Sequence, residues 1–187
     1  MRVFPVPSLL IAGSGGQGIL FAGKLVAQAA IEEGMNVTWF PSYGAEVRGG
    51  TANCTVVISN GLIGSPVVSS PDVLAVMNRP SLERFGGKMK KGGIIIMDSS
   101  IEAAGENIDG IGRDIRIVRV PAAEIAYGMG APLAANMVIC GAIARAASIC
   151  TLANIMAALE KLVPGGRAQV LKTNKEALKR GWRHIGD

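Results

Sequence analysis

The sequence predicts an α/β fold in which helices cover both faces of a mostly parallel β-sheet, giving three layers. Apolar runs rich in Val and Ile alternate along the chain with longer segments of helical pattern, and this alternation is typical of βαβ units. The residues are 49% hydrophobic but only 4% aromatic, and small or branched side chains suit strands buried beneath closely packed helices. A single domain accounts for residues 1–187, because a chain of this length can build one substantial core.

The N-terminal segment contains a glycine loop between an apolar strand and a helix. The strand begins at Leu9, and Gly13, Gly15 and Gly18 then form a G-x-G-x-x-G pattern before a helix that ends near Gly34. In this context the pattern indicates a Rossmann-like unit whose free backbone N–H groups favour a phosphate or a carboxylate. The same glycines would also let the helix pack closely on the strand, so both interpretations stay open.

The second predicted strand, Asn36–Phe40, lacks the acidic residue that dinucleotide sites place at its end. It is followed by Pro41-Ser42-Tyr43-Gly44, whereas Glu32 and Glu33 lie at the end of the preceding helix. The hypothesis of a stand-alone nicotinamide- or flavin-binding oxidoreductase is therefore weaker than the hypothesis that the glycine loop binds another kind of anion.

The rest of the chain continues the alternation of strands and helices. Further strands are predicted at Thr51–Ile58, Val73–Met77, Gly93–Met97 and Val118–Val120. Helices are predicted at Ser81–Phe85, Ala122–Met129, Pro132–Ile149, Leu152–Leu162 and Ala168–Gly181. Asn78 and Thr151 are expected to cap the helices that follow them, Gly61–Ser65 is predicted to be a turn, and Pro66–Ser69 a short extended piece.

The polar loops after these strands are expected to meet at one edge of the sheet, since ligands gather at the carboxyl ends of parallel strands. The loop Gly13–Gly18, the turn Ser42–Asn53 and the caps at Asn78 and Asp98 all follow strands. Within the turn, Arg48 is suited to holding a carboxylate or a phosphate at two points. Alternatively, it forms only a loop ion pair with the nearby glutamate, or the whole turn docks against a partner.

Charge and cysteine spacing exclude several functions. The net charge is +5, but the basic residues are scattered, which argues against nucleic-acid binding. Cys54, Cys140 and Cys150 show no C-x-x-C spacing, so they are expected to be buried thiols, and the chain alone cannot supply an iron–sulfur cluster. His184, the single histidine, has no helper residues near it in the sequence and is given no role.

The longest apolar stretch is predicted to be a buried helix rather than a membrane span. Asn136 and Arg145 interrupt the stretch Pro132–Leu152, and Met1–Pro7 does not have the character of a secretory signal. A cytoplasmic protein is therefore expected. Asn136 is expected to satisfy backbone groups at the start of its helix, with a role in ligand binding as the alternative.

Three separated motifs carry a resemblance to a known family. They are GSGGQGI at Gly13–Ile19, PSYGAEVRGGTANC at Pro41–Cys54, and SPDVLAVMN at Ser70–Asn78. In this order they resemble the gamma subunit of 2-oxoacid:ferredoxin oxidoreductases over nearly the whole chain. The wording of the middle motif is similar to the 2-oxoglutarate and branched-chain oxoacid enzymes, and the 2-oxoglutarate type is the first choice.

This resemblance implies a fold like the catalytic gamma domain of pyruvate:ferredoxin oxidoreductase and a role within a complex. Such enzymes convert a 2-oxoacid and coenzyme A to an acyl-coenzyme A and carbon dioxide, and they reduce ferredoxin. The chain lacks a thiamine motif, since Asp109-Gly110-Ile111-Gly112 does not match one. Thiamine diphosphate, magnesium and the iron–sulfur clusters are therefore expected in alpha and beta subunits or in an additional delta subunit, with a homodimer as the state of the isolated chain.

The resemblance also implies a set of binding residues but no catalytic residue and no metal ligand. The glycine loop and the following turn are expected to border the shared site, where they bind the phosphate of coenzyme A or shape the approach to thiamine. A pure assembly subunit, a 2-oxoisovalerate enzyme and a pyruvate enzyme are the alternatives. The predicted binding residues are Gly13, Gly15, Gly16, Gln17, Gly18, Ser42, Tyr43, Glu46, Arg48, Gly49, Gly50 and Asn53.

Overall fold

A computed structural model describes residues 7–42, 51–101, 111–112, 114–163 and 165–186. The strands are β1 (Ser8–Ser14), β2 (Asn36–Ser42), β3 (Thr51–Ser59), β4 (Val73–Val76), β5 (Ile94–Asp98) and β6 (Arg116–Val120). The helices are α1 (Ile19–Glu32), α2 (Arg79–Phe85), α3 (Ala122–Gly128), α4 (Ala135–Ala146), α5 (Leu152–Leu162) and α6 (Ala168–His184). Short 3-10 turns lie at Gly86–Lys88, Ser99–Ile101 and Pro132–Ala134.

The strands form one six-stranded sheet in the order β2-β3-β1-β4-β5-β6. Strands β1, β4, β5 and β6 are parallel, as predicted, whereas β3 runs antiparallel to both β1 and β2. Only residues 43–50 separate β2 from β3, and a parallel crossover needs about a dozen residues or more. The sheet is therefore mixed, with its antiparallel part at the β2 edge.

Alternate residues of the central strands face two separate apolar layers, as strand geometry requires. Leu9 and Ile11 of β1 pack into the larger core with helices α1, α4, α5 and α6. Leu10 and Ala12 face the smaller core, which includes Leu82 of α2. The predicted three-layer arrangement is confirmed, with most of the helical mass on one face.

Helices α4 and α6 approach each other closely at two glycines. A Cβ atom at Gly141 would lie 2.1 Å from the carbonyl oxygen of Leu178, and one at Gly181 would lie 1.9 Å from that of Val138. Only a residue without a side chain fits either position. This contact keeps α4 buried, and among the described residues no helix has the length and apolar character needed to span a membrane.

The long apolar helix α4 differs from its predicted bounds, whereas α5 has the bounds predicted for it. The segment predicted as one helix, Pro132–Ile149, begins with a 3-10 turn and its α-helix ends at Ala146. Ser148 adopts a left-handed conformation with φ 50°, and the Ile149 N–H donates back to the carbonyl of Ala144 at 3.2 Å. This is the pattern of a helix C-cap, although serine rather than glycine occupies the left-handed position.

Candidate functional site

The glycine loop and the described ends of the Ser42–Asn53 turn lie together at the carboxyl edge of the sheet. Strands β1, β4 and β5 end at this edge because they are parallel. The antiparallel β3 begins there, with Thr51 opposite Ser14 of β1 and Asn53 opposite Ser42 of β2. The expectation that the glycine loop and both ends of the Ser42–Asn53 turn share one edge is therefore confirmed.

Two of the loop glycines are crowded by side chains that pack against the loop. A Cβ atom at Gly13 would lie 2.6 Å from Oε1 of Gln17. Gly18 has φ 70°, and a Cβ atom there would lie 2.2 Å from Nδ2 of Asn136. The packing interpretation of the motif therefore holds for these two positions.

Gly15 and Gly16 are placed differently, because both are exposed at the outer side of the loop. Gly16 has φ 88°, and a Cβ atom built on it would meet nothing within 4 Å. Glycine is favoured at position 16 because the backbone there is left-handed, and not because neighbouring atoms crowd it. Among the described residues, the space beside the backbone of Gly16 is accordingly open.

Both polar atoms of the Gln17 side-chain amide form hydrogen bonds that stabilise the loop. Its Oε1 accepts a hydrogen bond from the backbone N–H of Ser14 at 2.7 Å, and its Nε2 donates to the carbonyl of Met77 at 3.0 Å. Asn78 adds a second link, since its Nδ2 donates to Oγ of Ser14 at 2.6 Å. The same Asn78 caps α2 by accepting from the N–H of Ser81 at 3.0 Å, so its predicted capping role is confirmed.

Helix α1 begins beside this loop without a side-chain cap. Gly18 occupies the N-cap position, and the first turn contains no acidic residue. Uncapped N–H groups and the positive end of the helix dipole together favour an anion. The helix start is thus chemically suited to a phosphate or a carboxylate.

Asn136, in the first turn of α4, contacts the glycine loop instead of satisfying backbone groups at the start of its own helix, as was expected. Its side chain is buried, and its Nδ2 donates to the carbonyl of Gly18 at 3.3 Å, across 118 positions of sequence. The side chain therefore satisfies a backbone group of the glycine loop, while the N-cap of its own helix has no side-chain hydrogen bond. No local sequence signal indicates this contact.

The turn itself is described only at its ends. Ser42 is exposed and Asn53 is half-buried, while Tyr43, Glu46, Arg48, Gly49 and Gly50 lie outside the described residues. Their predicted roles stay predictions.

An additional cation at the β3 end of the turn was not predicted. Arg84 donates from Nη1 to Oγ1 of Thr51 at 3.1 Å, and its guanidinium lies 5.4 Å from the centre of the Phe85 ring. In the sequence, Arg84 lies three residues after Ser81 in a short predicted helix, and nothing at that position indicates a functional role. The contact depends on the strand order.

Asp98 has a structural role at the same edge. Its carboxylate accepts from the N–H of Ser100 at 3.0 Å and from the N–H of Ala123 at 2.9 Å. Both hydrogen bonds are donated by backbone N–H groups, and the second of these groups lies at the start of α3. Asp98 therefore has the character of a cap rather than of an acid or base.

The cysteines are buried thiols, as predicted. Burial raises the pKa of Cys54 and of Cys150 to about 12, and it raises that of Cys140 as well. A thiol of this kind stays protonated at neutral pH and is a poor nucleophile. Within the described ranges no three His, Cys, Asp or Glu side chains are grouped as metal ligands would be.

Comparison with known proteins decides the family. The family model described as pyruvate ferredoxin/flavodoxin oxidoreductase matches residues 8–184. The chain belongs to this family. Its membership confirms the resemblance to a gamma subunit that the three motifs indicated.

Relatives in this oxidoreductase family differ in how much of their length the chain covers. The 2-oxoglutarate synthase subunit KorC of Methanothermobacter thermautotrophicus is 36% identical over 159 residues, which are 83% of this chain and 84% of the relative. The ketoisovalerate oxidoreductase subunit VorA of the same organism is 46% identical over 138 residues, which are 74% of this chain. The chain spans only about a quarter of the VorA relatives, 28% and 26% of their lengths.

Solved structures of the family share the fold. The gamma subunit of a keto/oxoacid ferredoxin oxidoreductase from Geobacter sulfurreducens superposes with a TM-score of 0.81 at 23% identity, covering 96% of this chain and 98% of that one. A 2-oxoglutarate:ferredoxin oxidoreductase from Magnetococcus marinus gives a TM-score of 0.86 at 24% identity, covering 98% of this chain and 31% of that one. The predicted gamma-type α/β fold is thereby confirmed.

Proposed function

We propose that the chain is the gamma subunit of a multi-subunit 2-oxoglutarate:ferredoxin oxidoreductase. The assembled enzyme would convert 2-oxoglutarate, coenzyme A and oxidised ferredoxin to succinyl-coenzyme A, carbon dioxide and reduced ferredoxin. The observation that carries this proposal is the correspondence with KorC over most of both chains. That match covers 83% of this chain and 84% of KorC.

In this proposal the carboxyl edge of the sheet borders the coenzyme A site. The exposed Gly15 and Gly16 leave room for a phosphate next to the start of α1, where no acidic residue stands in the first turn. Arg48, in the adjoining turn, would add a two-point contact to the same group. The chain's own part is to bind and orient coenzyme A.

The redox chemistry belongs to other chains in this proposal. Thiamine diphosphate, magnesium and iron–sulfur clusters would be held by alpha, beta and delta subunits, and ferredoxin would be reached through the complex. A cluster needs thiolate ligands, and burial raises the pKa of each thiol of this chain. A cytoplasmic location, with no nucleic-acid or membrane partner, is part of the proposal.

Anaerobic affinity purification of the chain from its native cells tests this function. We expect partners that carry thiamine and clusters, and reduction of a dye acceptor that depends on both 2-oxoglutarate and coenzyme A. Recovery of the chain alone with a bound nucleotide would contradict the proposal and favour a stand-alone oxidoreductase.

A second candidate substrate is 2-oxoisovalerate, which the 46% identity with VorA favours. Pyruvate is a third, since the pyruvate synthase subunit PorC of M. thermautotrophicus is 27% identical over 182 residues. The purified complex should be assayed with each oxoacid at a fixed coenzyme A concentration. The oxoacid with the highest kcat/KM identifies the substrate.

A non-catalytic docking subunit is the alternative from a different functional class. In that case the glycine loop and the turn only contact a partner. Substitutions there would weaken assembly and leave the kinetics of intact complexes unchanged.

A further inference from the structure

The amino edge of the sheet contains a groove of about 1150 Å³, on the side opposite the glycine loop. Its walls include the starts of β4 and β5, at Val73 and Ile94, and the segment that links α4 to α5. Ligand sites usually have volumes of about 300–1,000 Å³ and are mostly apolar, with a few well-placed polar groups. The groove is therefore large enough to hold a small molecule.

The floor of the groove is apolar and one wall is aromatic. Ile58, Val73 and Ile149 are buried side chains that line it, and the ring of Trp182 borders it while half-buried. A hydrocarbon chain in this groove would be removed from water against aliphatic and aromatic surface. The lining thus favours a ligand with an apolar body.

The acidic groups in the groove already have partners inside the protein. Glu33 accepts a hydrogen bond from the backbone N–H of Thr151 at 2.6 Å. Asp72 accepts from the N–H and the hydroxyl of Ser8 and forms an ion pair with Lys90 at 2.7 Å. Lys90 therefore neutralises the charge of Asp72, whereas Glu33 keeps its negative charge, because a backbone N–H adds no positive charge.

Two basic residues of the groove, in contrast, have no carboxylate partner among residues 7–42, 51–101, 111–112, 114–163 and 165–186. Arg145 is exposed, and its guanidinium lies 5.4 Å from the centre of the Trp182 ring. Lys91 stands on the exposed turn before β5. With Lys90 included, the groove has three cations and two carboxylates, so it carries a net charge of +1 above an apolar floor.

We propose that this groove is a second binding site, for a small ligand with an anionic head, carboxylate or phosphate, and an apolar body. Arg145 and Lys91 bind the head, and Trp182 with the aliphatic floor holds the body. The site lies at the opposite edge from the proposed coenzyme A site. The proposal therefore does not depend on the proposed function.

Calorimetric titration of the full chain with sodium octanoate and with octyl phosphate tests the site. Saturable binding with one site per chain is expected for at least one of these anions, and the better one identifies the head group. Octan-1-ol and octylammonium should bind roughly tenfold more weakly, because a charged hydrogen bond contributes on the order of a tenfold change in affinity. Equal binding of the alcohol, or no binding of either anion, would overturn the proposal.

Variants locate the binding within the groove. Arg145→Gln and Lys91→Gln should each weaken the binding of the anion roughly tenfold, and Ala147→Phe should block the apolar part. Lys172→Gln, on the exposed face of α6, removes the same charge elsewhere and should have no effect. Thermal unfolding of each variant separates a lost site from a lost fold, and Lys91 lies on a surface turn that tolerates the change.

Titration of the assembled complex distinguishes a small ligand from a protein occupant. Retained binding in the complex supports the site. Binding that disappears on assembly, or self-association of the chain that Arg145→Gln abolishes, would show that a protein surface fills the groove and would overturn the proposal.

Discussion

At the scale of single residues, the glycine motif combines two different requirements. Gly13 and Gly18 are needed because neighbouring side chains occupy the space that a Cβ atom would take. Gly16 has open space around it and needs only its left-handed backbone. Packing therefore accounts for Gly13 and Gly18, while the anion-binding interpretation concerns the exposed part of the loop and stays a prediction.

Gly18→Ala should destabilise the chain by about 2–4 kcal/mol, since it adds backbone strain to a steric clash. Gly16→Ala is the matched control, because it carries the strain at φ 88° without the clash, and about 1 kcal/mol is expected. Urea unfolding measures both free energies. Adding Asn136→Ala to Gly18→Ala should recover part of the loss, and equal costs for the two glycine variants would contradict the clash.

Arg48→Ala should raise the KM of the assembled enzyme for coenzyme A by roughly ten- to a hundredfold, because a two-point contact to phosphate would be lost. The KM for the oxoacid should stay the same. Arg180→Ala on α6, where Arg180 pairs with Glu176 at 3.0 Å, is the control. Unchanged kinetics with weakened association would instead favour the docking role, and no change in either would exclude both roles.

At the scale of elements, the crossing of α4 and α6 determines how the C-terminal helix docks. The sequence predicted a helix at Ala168–Gly181, but the crossing point depends on two close approaches. Gly141 meets the backbone at Leu178, and Gly181 meets the backbone at Val138. These close approaches involve carbonyl groups, which cannot move aside as a flexible side chain can. The two helices therefore have little freedom to slide.

Gly181→Ala should cost about 2–4 kcal/mol of folding free energy, through displacement of α6 from α4. Gly128→Ala, at the end of α3 with nothing within 4 Å of the added Cβ atom, should stay within about 0.5 kcal/mol of the wild type. Hydrogen exchange of α6 amides supplies an independent measurement. Unaltered protection of α6 in the Gly181 variant would contradict the close crossing.

At the scale of the whole molecule, the two edges of the sheet differ in character. The carboxyl edge carries the glycine loop and the start of α1, while the amino edge carries the groove and a set of hydrogen bonds that join β1 to β4. There Asp72 accepts from the N–H of Ser8 at 3.0 Å, and its own N–H donates to the hydroxyl of Ser8 at 3.0 Å. This reciprocal contact links residues far apart in sequence at the centre of the sheet.

The Asp72 contact makes stability depend on acid pH. Partial burial raises the pKa of this carboxyl, but the hydrogen bonds from Lys90 and Ser8 lower it by more, so the folded pKa lies below the ordinary value. The stabilisation is therefore complete above the pKa of the unfolded chain, about 4. It is lost as pH falls through the folded value.

Asp72→Asn should lower stability at neutral pH by about 1–3 kcal/mol, because buried donors lose their charged acceptor. It should also flatten the acid part of the curve of unfolding free energy against pH. Glu83→Gln, which alters an exposed i,i+4 pair with Arg79 at 2.8 Å, is the control, and about 0.5 kcal/mol or less is expected. A variant curve that keeps the wild-type slope below pH 5 would contradict the assignment.

The sequence by itself determined the order of the strands and main helices, the caps at Asn78 and Thr151, and the position of the glycine loop. The Asn78 and Thr151 caps join residues three apart, and the strands and helices follow from local periodicity, so neighbouring residues contain the whole signal. Three motifs in order were enough to indicate the family. Each of these features depends on short segments that can be recognised without knowing what they pack against.

Only the tertiary structure decided the antiparallel β2–β3 edge, the crossing of α4 and α6, and the contacts of Asn136 with Gly18 and of Arg84 with Thr51. Asn136 and Gly18 are 118 positions apart, and Arg84 and Thr51 are 33 apart. Such contacts depend on strand order and helix docking, which result from burying all the apolar faces at once. No single segment contains that information, because the free energy that selects it comes from surfaces that meet only in the folded chain.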